Sequence, residues 1–254
     1  MRRYGLIGFP LSHSFSKKYF TDKFQRENIS DAVYELYPLE HCDAIKELLE
    51  KEKDLRGLNV TIPHKQAILD FLDKLDESAA AVKAVNTIKI EQGAMGRILT
   101  GYNTDTYGFR QSIKPFLESH HERALILGTG GAAKAVAWVL KEIGVDCYFV
   151  SRNPPAVKAG EKQRYFSYGE INSHVIRHFP LIINASPAGM YPNVQEAPAI
   201  PFDAVGPGHF LYDLIYNPEE TRFLSEGKKR GALTLNGLSM LQQQAEKAWQ
   251  IWNA

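Results

Sequence analysis

Apolar residues along this chain follow two rhythms. Short runs rich in β-branched and aromatic residues alternate with stretches in which apolar positions recur every three or four residues. In the first hundred residues the runs at 4–8, 33–37, 57–62, 85–91 and 96–100 read as strands, with Gln92-Gly93 turning the chain between the last two. Helical spacing covers 16–27, where Tyr19, Phe20 and Phe24 share a face, and also 42–52, 65–72 and 78–82. Strands alternating with helices predict a mostly parallel sheet covered on both sides.

The second half repeats this logic more clearly. The run 124–127 is wholly apolar; Val136, Val139, Leu140 and Ile143 then line one face of a helix that Gly144 ends. Further runs at 147–150, 165–167, 181–184, 210–213 and 232–235 complete six strands, as in a doubly wound nucleotide-binding sheet. A last helix covers 239–252. The segments 153–162 and 187–208 read as loops, the first a candidate lid and the second a connection.

Composition narrows the class. With 254 residues, 44% hydrophobic and 23% charged, the chain reads as globular, with one large or two modest domains. Thirty basic residues against 29 acidic ones leave no electrostatic footprint for nucleic acid or an acidic membrane. Cys42 and Cys147 form no CxxC pair and suit reduced thiols of a cytoplasmic protein. No run approaches the ~20 apolar residues of a membrane span. No histidine pair at H-x-x-x-H spacing has a nearby ligand set, so no metal is expected; His13 and His64 read as rim or structural residues.

The clearest chemical signal is Gly128-Thr129-Gly130-Gly131-Ala132-Ala133, which directly follows a strand and directly opens a helix. Gly128 permits the tight turn, Gly130 admits a pyrophosphate to the backbone, and Ala133 allows close helix–strand packing. The helix start offers free N–H groups to phosphate. A turn packed for structural reasons is the competing reading. The next strand ends Ser151-Arg152-Asn153, without the carboxylate that would bond the ribose 2′-hydroxyl of NAD. Arg152 could instead pair with a 2′-phosphate, helped by Lys158, which favours NADP; otherwise Arg152 is a solvated loop residue.

Four polar clusters sit at strand ends in the first half, where open α/β sheets bind ligands: Ser12-His13-Ser14-Phe15-Ser16, Asn59-Val60-Thr61-Ile62-Pro63-His64-Lys65, Ala84-Val85-Asn86-Thr87 and Gly101-Tyr102-Asn103-Thr104-Asp105. Each has a bland reading. Ser14 and Ser16 could simply cap a helix, Asn59 and Thr61 could bond across strands, and Lys65 could be an exposed lysine at a helix start. Together, in order, these clusters resemble the motifs of shikimate dehydrogenases. The resemblance continues through Gly128–Ala133, Ile183-Asn184-Ala185-Ser186, Tyr212-Asp213 with Tyr216, Asn236-Gly237-Leu238-Ser239-Met240-Leu241, and Gln244. Phe15 and Lys17 stand where that family commonly has a lysine and a proline, and Asn153-Pro154-Pro155 replaces its usual threonine.

The resemblance implies two α/β domains with a cleft between them: a substrate domain, 1–105 plus 237–254, and a Rossmann-like NADP domain, 106–236. It implies reversible NADPH-dependent reduction of 3-dehydroshikimate to shikimate, with Lys65 and Asp105 catalytic. Ser14 and Ser16 would hold the substrate carboxylate. Thr61, Asn86, Asp105 and Gln244 would bond the ring hydroxyls, with Asn59 supporting them and Tyr216 closing the pocket. Gly128, Gly130, Gly131 and Ala132 would bind pyrophosphate, and Ser151, Arg152 and Asn153 the adenosine phosphate. Leu214, Gly237 and Met240 would border the nicotinamide. The protein would act as a monomer or homodimer. The alternative readings are an enzyme of this fold acting on quinate or using NAD, and a non-catalytic NADP-binding sensor.

Overall fold

The computed structural model of the protein describes residues 1–11, 14–94, 96–156 and 164–254. The candidate lid at 153–162, Lys158, Ser12 and His13 therefore fall wholly or partly outside the described residues. The chain divides into two compact units, Met1–Tyr107 with Gln244–Ala254, and Gly108–Gln243.

The first unit runs β1 (Arg2–Gly8), α1 (Phe15–Arg26), β2 (Ala32–Pro38), α2 (Ile45–Lys51), β3 (Leu55–Val60), β4 (Lys74–Leu75), α3 (Glu77–Val82), β5 (Thr87–Gly93), β6 (Gly96–Tyr102) and the start of α4 (Thr104–Ile113). Its sheet has the order β2-β1-β3-β5-β6-β4. β1 pairs with β2 and β3 in parallel, but β5 is antiparallel to both β3 and β6. The expected mostly parallel sheet is thus a mixed one. The reason is the short link between β5 and β6, which places Gly93 opposite Gly96; so short a connection can only reverse the strand. The helix expected over 65–72 shrinks to a 3₁₀ turn, Ala67–Phe71.

Alternation along β1 sends Tyr4 and Leu6 to one face and Ile7 to the other. Ile7 packs with Ile45, Leu48 and Ala79, beneath α2 and α3. Tyr4 and Leu6 pack with Phe20 and Phe24 of α1 and with Ala245, Ala248 and Trp252 of the C-terminal helix. That helix seats closely. A Cβ on Gly57 would lie 2.2 Å from Trp252 Nε1, and the indole N–H donates to the Ile88 carbonyl at 2.9 Å.

The second unit runs β7 (Arg123–Leu127), α5 (Gly131–Glu142), β8 (Asp146–Ser151), β9 (Tyr165–Ser167), α6 (Ser173–Arg177), β10 (Leu181–Asn184), β11 (Phe210–Asp213), α7 (Arg222–Lys229), β12 (Leu233–Leu235) and the start of α8 (Leu238–Asn253). Its strands pair in parallel in the order β12-β11-β10-β7-β8-β9, a doubly wound sheet whose order reverses between β7 and β10. Both faces are apolar: Ala124 and Ile126 of β7 join one core, and Leu125 and Leu127 the other. The division between the units falls inside α8 rather than at its start. Met240, in its first turn, joins the core of the second unit, whereas Ala245, Ala248 and Trp252 join that of the first.

Gly57→Ala is expected to destabilise the protein by about 1–3 kcal/mol, the usual cost of overpacking. Urea unfolding would measure it, and a wild-type midpoint would contradict the close seating of Trp252.

Candidate functional site

Past the end of β3, Thr61 still donates its N–H to the Ile7 carbonyl (2.9 Å), and the chain then turns, with the His64 N–H bonding the Thr61 carbonyl (2.9 Å). Buried His64 places its Nε2 2.6 Å from the Leu39 carbonyl oxygen and so anchors the turn. The Lys65 carbonyl accepts from the Val85 N–H (2.7 Å), which leaves the Lys65 side chain as the free end of this turn. Its Nζ lies 2.7 Å from Asp105 Oδ2. Lys65 is therefore not the exposed helix-start lysine of the bland reading: its side chain is 24% exposed, and that of Asp105 only 6%. Asp105 sits in the first turn of α4, where free N–H groups favour a carboxylate.

Asn86 ties this region together. Its Oδ1 accepts from the Thr104 N–H (2.7 Å) and the Thr104 hydroxyl (3.1 Å), which fixes the start of α4 one residue before Asp105. Its Nδ2 donates to Gln244 Oε1 (3.0 Å). Asn59 Nδ2 donates to the Asn86 carbonyl (3.3 Å) and to Thr87 Oγ1 (3.1 Å). Ser14 occupies the N-cap position of α1, but its hydroxyl makes no capping bond; Ser14 Oγ is buried with no partner among the described residues. No acidic residue stands in the first turn of α1, which contains Ser16. An orphaned hydroxyl beside uncapped N–H groups suits an anion. Lys65, Asp105, Asn59, Thr61, Asn86, Gln244, Ser14 and Ser16 thus all belong to one compact unit, although Gln244 is more than a hundred residues from the others.

In the second unit, the glycine loop leaves the end of β7 beside the sheet's switch point. Gly128 adopts φ +119, and a Cβ there would meet the Ala185 carbonyl oxygen at 3.0 Å, so glycine is required for the turn. Gly130 and Gly131 differ: a Cβ on either would meet nothing within 4 Å. Gly130 is the N-cap of α5, which has no side-chain cap and no acidic residue in its first turn, while Ala133 is fully buried. Open space over an uncapped helix start fits a pyrophosphate. Ala132 lies in the first turn of α5, Ser151 ends β8, and Arg152 and Asn153 follow it exposed. A Cβ on Gly237 would lie 2.1 Å from the Leu214 carbonyl oxygen; Leu214 is partly buried, and Met240 is largely enclosed in the core. Tyr216 is half-buried, which raises its phenol pKa. Among the described residues no group of three or more His, Cys, Asp or Glu could hold a metal ion. No helix among them is long and apolar enough to cross a membrane.

Sequence reasoning assigned no role to a buried network at the end of β11. Asp213 Oδ1 accepts from Asn184 Nδ2 and from the Ile215 N–H, both at 3.0 Å, and Asp213 Oδ2 accepts from the Thr221 hydroxyl at 2.6 Å. These bonds pin both ends of the segment carrying Leu214 and Tyr216. Burial pushes the Asp213 carboxyl up to about 6, against the opposing effect of its three donors. Asn184 and Asp213 were visible as strand-end polar residues; Thr221 carried no local signal.

Comparison with known proteins places the chain among shikimate dehydrogenases. Residues 6–88 match the model of the shikimate dehydrogenase substrate binding domain. A shikimate dehydrogenase (NADP(+)) of Caldanaerobacter subterraneus subsp. tengcongensis is 37% identical over 262 residues, covering 98% of this chain and 90% of the relative. One of Clostridium beijerinckii is 39% identical over 258 residues, covering 99% and 92%. The crystal structure of Thermus thermophilus shikimate 5-dehydrogenase in complex with NADP(H) and shikimate superposes with a TM-score of 0.84 at 30% identity, covering 99% of this chain and 93% of that one.

Because the Asp213 pKa is raised on folding, the native state binds the extra proton, and the contribution of this group to stability falls as pH rises from about 4 to 6. The stability of the wild type minus that of Asp213→Asn should therefore decline by up to about 3 kcal/mol across that window. Chemical denaturation at a series of pH values would read it; a flat difference would show the carboxyl to be unperturbed.

Proposed function

The chain belongs to the shikimate dehydrogenase family, and we propose that it carries out the reversible NADP-dependent reduction of the C3 ketone of 3-dehydroshikimate to shikimate, with Lys65 and Asp105 as its catalytic pair. The observation that carries this reading is the 2.7 Å contact between the Lys65 ammonium and the Asp105 carboxylate, held at strand ends among polar side chains of the same unit.

Bound NADPH supplies the hydride. Negative charge developing on the C3 oxygen is met by the Lys65 ammonium, which gives that oxygen its proton; in oxidation the neutral amine takes the proton from the C3 hydroxyl. Asp105 Oδ2 orients the Lys65 nitrogen, and its carboxylate accepts from a ring hydroxyl. Ser14, Ser16 and the first N–H groups of α1 hold the substrate carboxylate, which supplies the partner that the buried Ser14 Oγ lacks among the described residues. Thr61, Asn86 and Gln244 bond the ring hydroxyls, and Asn59 supports Asn86. Tyr216 is the remaining substrate-binding candidate.

For the cofactor, Gly128, Gly130, Gly131 and Ala132 take the pyrophosphate at the open start of α5. Ser151, Arg152 and Asn153 take the adenosine phosphate; the exposed guanidinium of Arg152 offers two parallel donors to it. Leu214, Gly237 and Met240 border the nicotinamide.

Mixing the protein with 3-dehydroshikimate and NADPH should consume reduced cofactor. Cofactor binding without turnover would instead support a sensor. Lys65→Ala should lose about 10²–10⁴-fold in kcat, the usual weight of acid–base assistance, while still folding and binding NADPH; near-normal turnover would remove Lys65 from the mechanism. Arg152→Ala should raise the KM for NADPH about ten- to a hundredfold, the range of a charged hydrogen bond, with little effect on NADH. Equal effects on both cofactors would disconnect Arg152 from the 2′-phosphate.

A further inference from the structure

We propose that Asp213 is a positioning residue for hydride transfer: its buried carboxylate closes the loop 214–221 on itself and so fixes Leu214 where it borders the nicotinamide. This deepens the shikimate reading above and rests on it. Asp213 ends β11, and both it and Thr221 are fully buried. Asp213 Oδ1 accepts from the Ile215 N–H at 3.0 Å and Asp213 Oδ2 from the Thr221 hydroxyl at 2.6 Å, so one side chain ties the start of the loop to its last residue. The Leu214 N–H donates to the Asn184 carbonyl (3.0 Å), and the Ile215 carbonyl accepts from the Gly237 N–H (3.0 Å). Leu214 is thus held on both sides, and its carbonyl abuts Gly237 so closely that no Cβ fits there.

The polarity of the network follows from donors and acceptors. Asn184 Oδ1 accepts from the Ser186 N–H (3.1 Å) and the Ser186 hydroxyl (2.7 Å). Its Nδ2 therefore faces Asp213 Oδ1 (3.0 Å) and the Ala188 carbonyl (3.2 Å). Asn184 thus uses all its hydrogen-bonding positions, and it ties the turn after β10 to the carboxylate that fixes the loop after β11. That turn abuts the glycine loop, since a Cβ on Gly128 would meet the Ala185 carbonyl oxygen at 3.0 Å. A carboxylate suits the centre because each of its three partners donates: the Asn184 amide, the Ile215 N–H and the Thr221 hydroxyl. Loss of one bond leaves a buried charge under-bonded and frees the loop to shift. A small shift at a bordering side chain costs hydride transfer more than cofactor binding, because the reacting atoms must stay close and aligned.

The test follows single-turnover oxidation of NADPH by 3-dehydroshikimate, together with inhibition by adenosine 2′,5′-bisphosphate, which carries no nicotinamide. Thr221→Val should slow the single turnover about three- to thirtyfold, part of the roughly ten- to hundredfold that a hydrogen bond to a charged group commands, with the Ki of the bisphosphate within about twofold of wild type. Thr221→Ser keeps the hydroxyl and should stay within about twofold of wild type in both measurements. The Thr221 hydroxyl also caps α7 through the Leu224 N–H (3.4 Å), and a general loosening that began there would raise the Ki as well. An unchanged turnover rate, an equal rise in the Ki, or a Thr221→Ser rate as slow as that of Thr221→Val would each overturn the proposal. If Thr221→Val does not fold, Asp213→Asn is measured at about pH 8, where the wild-type carboxyl is ionised. An amide nitrogen cannot accept from the Thr221 hydroxyl, so this variant must show the same selective slowing. Wild-type turnover of 3-dehydroshikimate is measured first: its absence defeats the shikimate reading itself, whereas failure of the variants alone defeats only the role of Asp213.

Discussion

An ammonium and a carboxylate 2.7 Å apart, with the carboxylate almost wholly enclosed, impose heavy demands on their surroundings. Removing a carboxylate from water is costly unless it is paired and hydrogen-bonded. Here the compensation comes from Lys65 and from the N-terminal turn of α4. Neither would stay in register without neighbours. The turn bearing Lys65 is held by Val85, and the turn bearing Asp105 begins at Thr104, which Asn86 holds at two points. The antiparallel pairing of β5 with β3 and β6 places Asn86, just before β5, beside both turns. The departure from a parallel sheet is thus also what assembles the pair.

The two units share a feature at one helix start each. At α1 and α5 a helix begins without a side-chain cap or an acidic residue, so its first N–H groups remain available. At α5 glycine leaves open space; at α1 a serine hydroxyl is buried without a partner among the described residues. An ordinary capping serine would have satisfied its own helix. Ser14 stands at the N-cap and makes no such bond.

At the end of β11 the polar groups are closed on one another. Asp213 accepts from Asn184 and Thr221 in the interior and so fixes the segment carrying Leu214 and Tyr216. Such a fully bonded cluster rigidifies its surroundings, at the cost of a raised carboxyl pKa.

Much of this was legible along the chain. The parallel order of the second sheet followed from fully apolar runs such as 124–127 and 181–184, because strands covered on both faces need apolar residues at every position. The glycine loop was legible because steric demands act locally: Gly128 must adopt a positive φ whatever surrounds it. Clusters such as Asn59–Lys65 and Asn103–Asp105 announced themselves by polarity at strand ends. Periodicity failed where long-range contacts ruled. Residues 65–72 carry helical spacing, yet only a 3₁₀ turn forms there, since the Lys65 carbonyl is committed to Val85 rather than to a helix. Residues 104–113 gave no helical signal strong enough to read, although α4 delivers Asp105. The resemblance paired Lys65 with Asp105, but no local pattern did; that Asn86 grips Gln244, that Tyr34 bonds Asn59 and that the units part within α8 were decided only by tertiary structure. Local patterns report what a residue prefers of its neighbours along the chain; partners brought together by sheet pairing leave no mark in spacing, because the intervening loops can vary without changing the contact.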